Sequence, residues 1–342
     1  VIDTLSGATS GRDPGARPVF GNAMTAALAA LTLTLGISPS SAGAQAYPTK
    51  PIRLIVPFAP GGGTDIVART IAQKLTEALG QTVVADNRPG GGGTIGAETT
   101  VRANPDGYTM ILVSNSYAAN AALYKLPYDP VQDIEPVILI GDTGFVVCVN
   151  QTVPVRSVKE LIAADKAKPG SLNYASTGTG GITHLASEYF NQMAGTKLVH
   201  VPYKGTGPAL NDLLGGQIQI QWGSLPALVP HLKGNRVRGL AVTMSRRTNV
   251  LPDMPTVAET LPGYEVGIWY GVWGPRPLPR PVIDRWNAEV NRIVQSQEMK
   301  DRMATEAIEP AGGPPQRLRD QLQRDVSKWQ AVVKNGNIRP GS

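Results

Sequence analysis

Three glycine-rich junctions carry the clearest chemical signal in this 342-residue chain. The first is Phe58-Ala-Pro-Gly-Gly-Gly-Thr-Asp65, where a β-rich run ends and a helical pattern begins. The first amides of a helix have no partner inside it and lie at the positive end of its macrodipole. Glycine allows a ligand close to that backbone, so an anion is held there without a buried lysine. A plain turn capped by Thr64 or Asp65 is the other reading, but a cap needs fewer than three glycines. Asp65 repels an anion. It either caps the helix and orients the loop, the favoured role, or takes an ammonium group on the ligand.

The second junction is Ala175-Ser-Thr-Gly-Thr-Gly-Gly-Ile-Thr-His184. Ile182, Leu185, Ala186, Tyr189, Phe190 and Met193 follow at helical spacing. His184 falls in the first turn and either packs or touches ligand. The third junction is Pro202-Tyr-Lys-Gly-Thr-Gly-Pro208. Lys204 there either neutralises a carboxylate or is an ordinary solvated lysine. Two anion-cradling helix starts facing one gap make a clamp for a ligand with polar ends.

Other patterns exclude more than they suggest. Gly91-x-Gly93-x-x-Gly96 follows a strand and matches a dinucleotide loop, which raises a rival reading: a nucleotide- or phosphate-using enzyme built on residues 90–96. The acidic residue expected about twenty positions on is missing, since Asp106 comes too early. There is no GxxxxGK[ST] and no GxSxG elbow. His184, His200 and His231 fit no metal spacing. The single cysteine, Cys148, lies in the apolar run Phe145–Val149 and reads as a buried, inert thiol. No catalytic machinery, metal or cofactor is therefore expected. The net charge of +6 is spread without basic blocks, which argues against nucleic acid and suits an anionic solute.

Alternating elements must position these loops. Ile52–Phe58, Thr82–Asp86 and Tyr108–Val113 read as strands. A helix over 65–79 carries Val67, Ile71, Leu75 and Leu79 on one face and closes at Gly80. Strand, helix, strand, helix, strand implies a parallel sheet. The pattern restarts with two β-rich runs in 137–150, joined by Gly141-Asp-Thr-Gly144. Strands at 172–175, 198–203, 218–222 and 237–243 follow, with helices at 157–167, 181–194 and 208–214. Gly263–Pro275 reads as a long extended segment and the tail as helices. The expectation is an α/β protein of two lobes, 47–147 with 268–342 and 148–267, joined by two strand-like hinge crossings.

The front of the chain has the layout of a secretory signal. Met24–Gly36 is apolar, Arg12 and Arg17 precede it, and Ala44-Gln-Ala46 supplies an A-x-A cleavage pattern. Removal after Ala46 leaves a chain starting at Tyr47, without a later apolar run of the ~18 residues a membrane span needs.

Several collinear motifs together resemble one family: Tyr47-Pro-x-Lys-Pro-Ile-Arg with Pro57–Asp65, Asn87-Arg-Pro-Gly-Gly-Gly-Gly, Pro105-Asp-Gly-Tyr, Ser176-Thr-Gly-x-Gly with His184-Leu, His200-Val-Pro-Tyr-Lys-Gly205, and Leu251-Pro-Asp-x-Pro-Thr-Val-Ala-Glu. The chain, over about 47–337, resembles the Bug family of extracytoplasmic solute receptors of tripartite tricarboxylate transporters. The resemblance implies a type II-like periplasmic-binding-protein fold with a ligand cleft between the lobes. It implies a monomeric periplasmic receptor that closes on a small carboxylate and presents itself to permease subunits in the membrane. The binding set it implies is Phe58, Gly62, Gly63, Thr64, Asp65, Ser114, Asn115, Thr177, Gly178, Thr179, His184, Lys204 and Gly205. One stretch departs from the family pattern, where acids follow Gly-Gly-Gln. Here Gly215-Gly-Gln-Ile-Gln-Ile-Gln-Trp-Gly-Ser224 carries amides and an aromatic. Trp222 either reaches the ligand, hinting at a less cationic or aromatic one, or packs in the core.

Overall fold

The computed structural model describes residues 47–336 and residue 338, so the signal segment expected at 1–46 lies outside the described residues. The first elements are β1 (Ile52–Val56), α1 (Gly63–Leu79), β2 (Val83–Asn87), a 3-10 turn (Gly91–Gly93), α2 (Thr94–Val101), β3 (Thr109–Ser114) and α3 (Ser116–Leu123). A long strand, β4 (Ile134–Val149), follows. Next come α4 (Val158–Ala167), β5 (Asn173–Ser176), α5 (Ile182–Ala194), β6 (Val199–Pro202), α6 (Thr206–Leu214), β7 (Ile220–Ser224), α7 (Leu225–Lys233) and β8 (Arg238–Val242). The chain ends with β9 (Gly267–Pro275), α8 (Arg280–Gln295), α9 (Gln297–Thr305), β10 (Glu309–Pro310) and α10 (Pro315–Gly336).

Two sheet regions share β4. In the first, β1 pairs in parallel with β2 and β3, and β9 runs antiparallel between β3 and β4. In the second, β5 pairs in parallel with β6 and β7, while β7 and β8 run antiparallel to β4. Residues 134–144 of β4 pair with β9, and residues 145–149 pair with β7 and β8. The strand therefore crosses from one lobe to the other at Gly144–Phe145. The return crossing leads into β9, where Gly267 pairs with Gly144.

The two β-rich runs of 137–150 form one strand: β4 passes through 141–144 unbroken. The two glycines answer to space rather than to bending. A Cβ on Gly141 would lie 2.6 Å from the Glu309 carbonyl oxygen, and one on Gly144 would meet the Met244 side chain. They let neighbouring segments press against the crossing strand.

The stripe Val67, Ile71, Leu75 and Leu79 is buried, and the left-handed Gly80 (φ 66°) ends α1. The tail helices pack beside the first sheet region. Trp286, Val290 and Ile293 of α8 are buried, as are Leu318, Leu322 and Trp329 of α10. Asn287 donates to the Val137 carbonyl at 2.8 Å, and Trp269 donates through Nε1 to Asp325 at 2.6 Å. Among the described residues, no helix is long and apolar enough to cross a membrane.

Candidate functional site

The carboxyl ends of strands from both lobes meet at one cavity holding about 350 Å³ of empty space, part of it open to solvent. This is where an open α/β sheet offers its loops and helix starts to a ligand. Phe58 follows β1, Ser114 ends β3, Thr177 follows β5, and Ser224 ends β7; all four line the cavity.

Five helices begin at its wall. Gly63, Ser116, Ile182 and Thr206 are the first residues of α1, α3, α5 and α6, and Ser224 precedes α7. Each helix start contributes roughly half a positive charge through its aligned peptides. Among the described residues, no lysine, arginine, histidine or carboxylate lines the cavity. The wall is thus positive through backbone alone, which suits an anion and leaves an ammonium without a counter-charge.

Direct contacts cross the gap. Ala59 donates its amide to the Lys204 carbonyl at 2.8 Å. The Gly63 amide donates to Ser224 Oγ at 3.1 Å, and the Ile182 amide to Ser116 Oγ at 3.3 Å. Tyr124 donates its hydroxyl to the Thr179 carbonyl at 3.0 Å. The Gly90–Gly96 run takes part as well. Gly92 lies against the 178–181 loop, where a Cβ would sit 2.6 Å from the Thr179 carbonyl oxygen. That run is filled by protein backbone from the facing loop.

The residues expected to bind fall into two groups. Phe58, Gly62, Gly63, Thr64, Ser114 and Thr177 line the cavity. The others stand behind or beside it. Asp65 is buried and accepts from Gly61 N at 3.0 Å, from Arg69 Nε at 3.0 Å and from Asn87 Nδ2 at 2.9 Å. Burial alone would raise its pKa; the hydrogen bonds from Arg69, Asn87 and Gly61 outweigh that and hold it below the usual carboxylate range. The carboxylate is committed to the loop, leaving no capacity for a ligand ammonium.

Asn115 is buried and donates to the Gly267 carbonyl at 2.7 Å, tying the end of β3 to the return crossing. Gly178 and Thr179 make the contact with Gly92 and Tyr124. His184 is fully buried, accepts from the Gly180 amide through Nδ1 at 3.3 Å, and stacks on His200 at 4.1 Å. It shapes the glycine loop from behind. Gly205 is buried with φ 150° against the Ala59 backbone. The Lys204 side chain is exposed and does not line the cavity; its carbonyl is what bridges to Ala59.

Trp222 lies in the core. It is fully buried, donates through Nε1 to Tyr264 at 3.1 Å and meets Phe190 edge-on at 5.4 Å. Alternation along β7 explains the placement: Trp222 and Ser224 share a face, but only Ser224 stands at the strand end beside the cavity.

Ser116, Phe145, Ile182, Thr183, Thr206, Ser224, Ile268 and Tyr270 also line the cavity and were not singled out in the sequence. One available signal was the polar residue at or just past the end of several strands, where ligand sites of such sheets gather.

Asp65→Asn tests the loop anchor. The stabilisation from a depressed carboxylate is present above the ordinary Asp pKa of ~3.9 and is lost as pH falls through the lowered folded value. The variant is expected to lose about 1 kcal/mol near neutral pH, discounted for the exposed Arg69. Wild type and variant should converge in acid; urea unfolding at both conditions reads this out.

Comparisons with known proteins agree with the geometry. Residues 67–338 match the model of the tripartite tricarboxylate transporter family receptor. Protein BugT of Bordetella pertussis is 35% identical over 314 residues, covering 89% of this chain and 96% of BugT. The solved structure of R. palustris Rpa4515 with adipate superposes with a TM-score of 0.83 at 36% identity, covering 86% of this chain and 99% of that one. MatC (Rpa3494) from Rhodopseudomonas palustris, with bound malate, gives 0.80 at 32% identity, covering 84% and 100%. The chain belongs to the Bug family of tripartite tricarboxylate transporter receptors; it is a solute-binding receptor of the two-lobed periplasmic-binding-protein fold and not an enzyme.

Proposed function

We propose that this receptor works in the periplasm, closes its two lobes on a small carboxylate, and delivers it to the membrane permease of a tripartite transporter. The observation that carries the reading is the convergence of five helix starts on a cavity without a charged side chain. The secretory layout of the first 46 residues supports the compartment. Adipate in Rpa4515 and malate in MatC support the ligand class. Hydrogen bonds across the gap, such as Ala59 to Lys204, suit a closed state of a molecule that opens about β4 and β9.

The test is a thermal-shift titration with dicarboxylates, tricarboxylates, aromatic acids and acidic amino acids. A ligand at 100 times its dissociation constant stabilises the fold by about 2.7 kcal/mol. Acids without an ammonium group are expected to give the shift, and acidic amino acids to bind more weakly, because Asp65 is already engaged. A flat melting temperature across every acid would sink the proposal.

A further inference from the structure

The cavity floor carries a hydroxyl whose proton has no acceptor among the described residues. Tyr270 lies on β9, paired with Ser114 on one side and Gly141 on the other. It is 1% exposed and lines the cavity. Its hydroxyl is buried without a well-formed hydrogen bond. Ser224 Oγ is beside it; it accepts from the Gly63 amide and has its own proton to give to the tyrosine oxygen, so the group left over is the tyrosine O–H proton. A buried hydroxyl left in this state is costly, and a phenylalanine would fill the same space without the cost.

The position of the hydroxyl is informative. A Cβ on Gly63 would lie 2.4 Å from it, so it stands beside the first residue of α1. An anion seated on that helix start brings its neighbouring atoms within reach. The rest of the floor is apolar: Phe145 and Ile268 are 3% and 4% exposed. A second full charge on that floor would lack a counter-charge, whereas a neutral oxygen accepts a hydrogen bond at much lower cost. Burial raises the Tyr270 pKa, so the group stays a protonated donor.

Building on the receptor reading, we propose that Tyr270 is a specificity-determining donor that selects acids bearing an oxygen on the carbon next to the anchored carboxylate. The ligand class is then the 2-hydroxy and 2-oxo acids. Their added oxygen accepts the proton for which the protein supplies no acceptor among the described residues, and the corresponding deoxy acid does not.

Matched pairs decide it by calorimetry: malate against succinate, 2-oxoglutarate against glutarate, and lactate against propionate. Wild type is expected to bind an oxygenated member roughly tenfold more tightly than its partner, the scale of one buried hydrogen bond. Tyr270→Phe should abolish that preference and leave the deoxy member within about twofold. The unliganded variant should melt no lower than wild type, since the lost hydroxyl had no well-formed hydrogen bond. Acid binding by wild type without any preference overturns the proposal and spares the receptor reading. Equal weakening of both members by Tyr270→Phe overturns it too, because the hydroxyl would then be serving the carboxylate itself. If no acid binds, the receptor reading fails and this assignment goes with it. The wild-type preference is read without a variant, so a folding defect in Tyr270→Phe leaves the test intact.

Discussion

Replacing Gly92 with alanine should abolish the proposed closure on ligand while leaving the protein folded. Gly92 has φ 64° in the 3-10 turn after β2. Its new Cβ would lie 2.6 Å from the Thr179 carbonyl oxygen and 2.9 Å from the Gly181 amide nitrogen. Both are backbone atoms of the opposite loop, which α5 and the His184 contact with Gly180 hold in place. The left-handed conformation costs alanine about 1–2 kcal/mol whether the lobes are apart or together. The steric clash exists only when they are together. Global stability should therefore fall by that modest amount, while affinity falls by 100-fold or more, on the order of the 1–3 kcal/mol typical of overpacking added to the lost cross-gap contacts. Small-angle scattering with a bound-state ligand gives the direct readout. A radius of gyration that still contracts on ligand addition would contradict the role assigned to the 90–96 glycine run.

Trp222→Ala should do the reverse, costing stability and sparing the site. The indole is fully buried against Tyr174 and Phe190, with centroids at 5.7 and 5.4 Å. Its Nε1–H ends on Tyr264, whose hydroxyl donates to the Ala186 carbonyl at 2.9 Å. Removing a large core aromatic costs about 3–5 kcal/mol. For a chain of this size that is a melting-temperature loss of roughly 6–20 °C. The folded fraction should keep its affinity within a few-fold. Loss of binding with little loss of stability would instead put the indole against the ligand.

Much of the architecture was legible because strand ends and helix starts announced themselves. The Gly61–Gly63 and Gly180–Gly181 junctions mark the starts of α1 and α5, and both bring residues to the cavity. The starts of α3 and α7 were hidden for different reasons. Ser116–Leu123 is one short Ala-rich run without amphipathic periodicity or a leading glycine. Leu225–Lys233 carries Pro226 and Pro230, and a proline within the run reads as a helix breaker. The crossing strand read as two runs rather than one because glycine marks both interruptions and close packing, and only the partner segments, Met244 and Glu309, decide between them. Lys204 and His184 show the other limit. Sequence places a residue on a loop but does not say whether its side chain or its backbone faces the gap. Here the Lys204 carbonyl and the Gly180 amide do the structural work.

The binding surface also has a consequence for the conditions in which the receptor operates. Peptide dipoles do not titrate, and the tyrosine on the floor is shifted further from neutrality by burial. The part of the potential supplied by the cavity lining, which holds no carboxylate or imidazole among the described residues, is therefore the same in mild acid as at neutrality. A change in capture with acidity then has two sources outside that lining: the solute, whose own acid groups take up protons near ~4, and, in stronger acid, the Asp65 anchor of the first glycine loop.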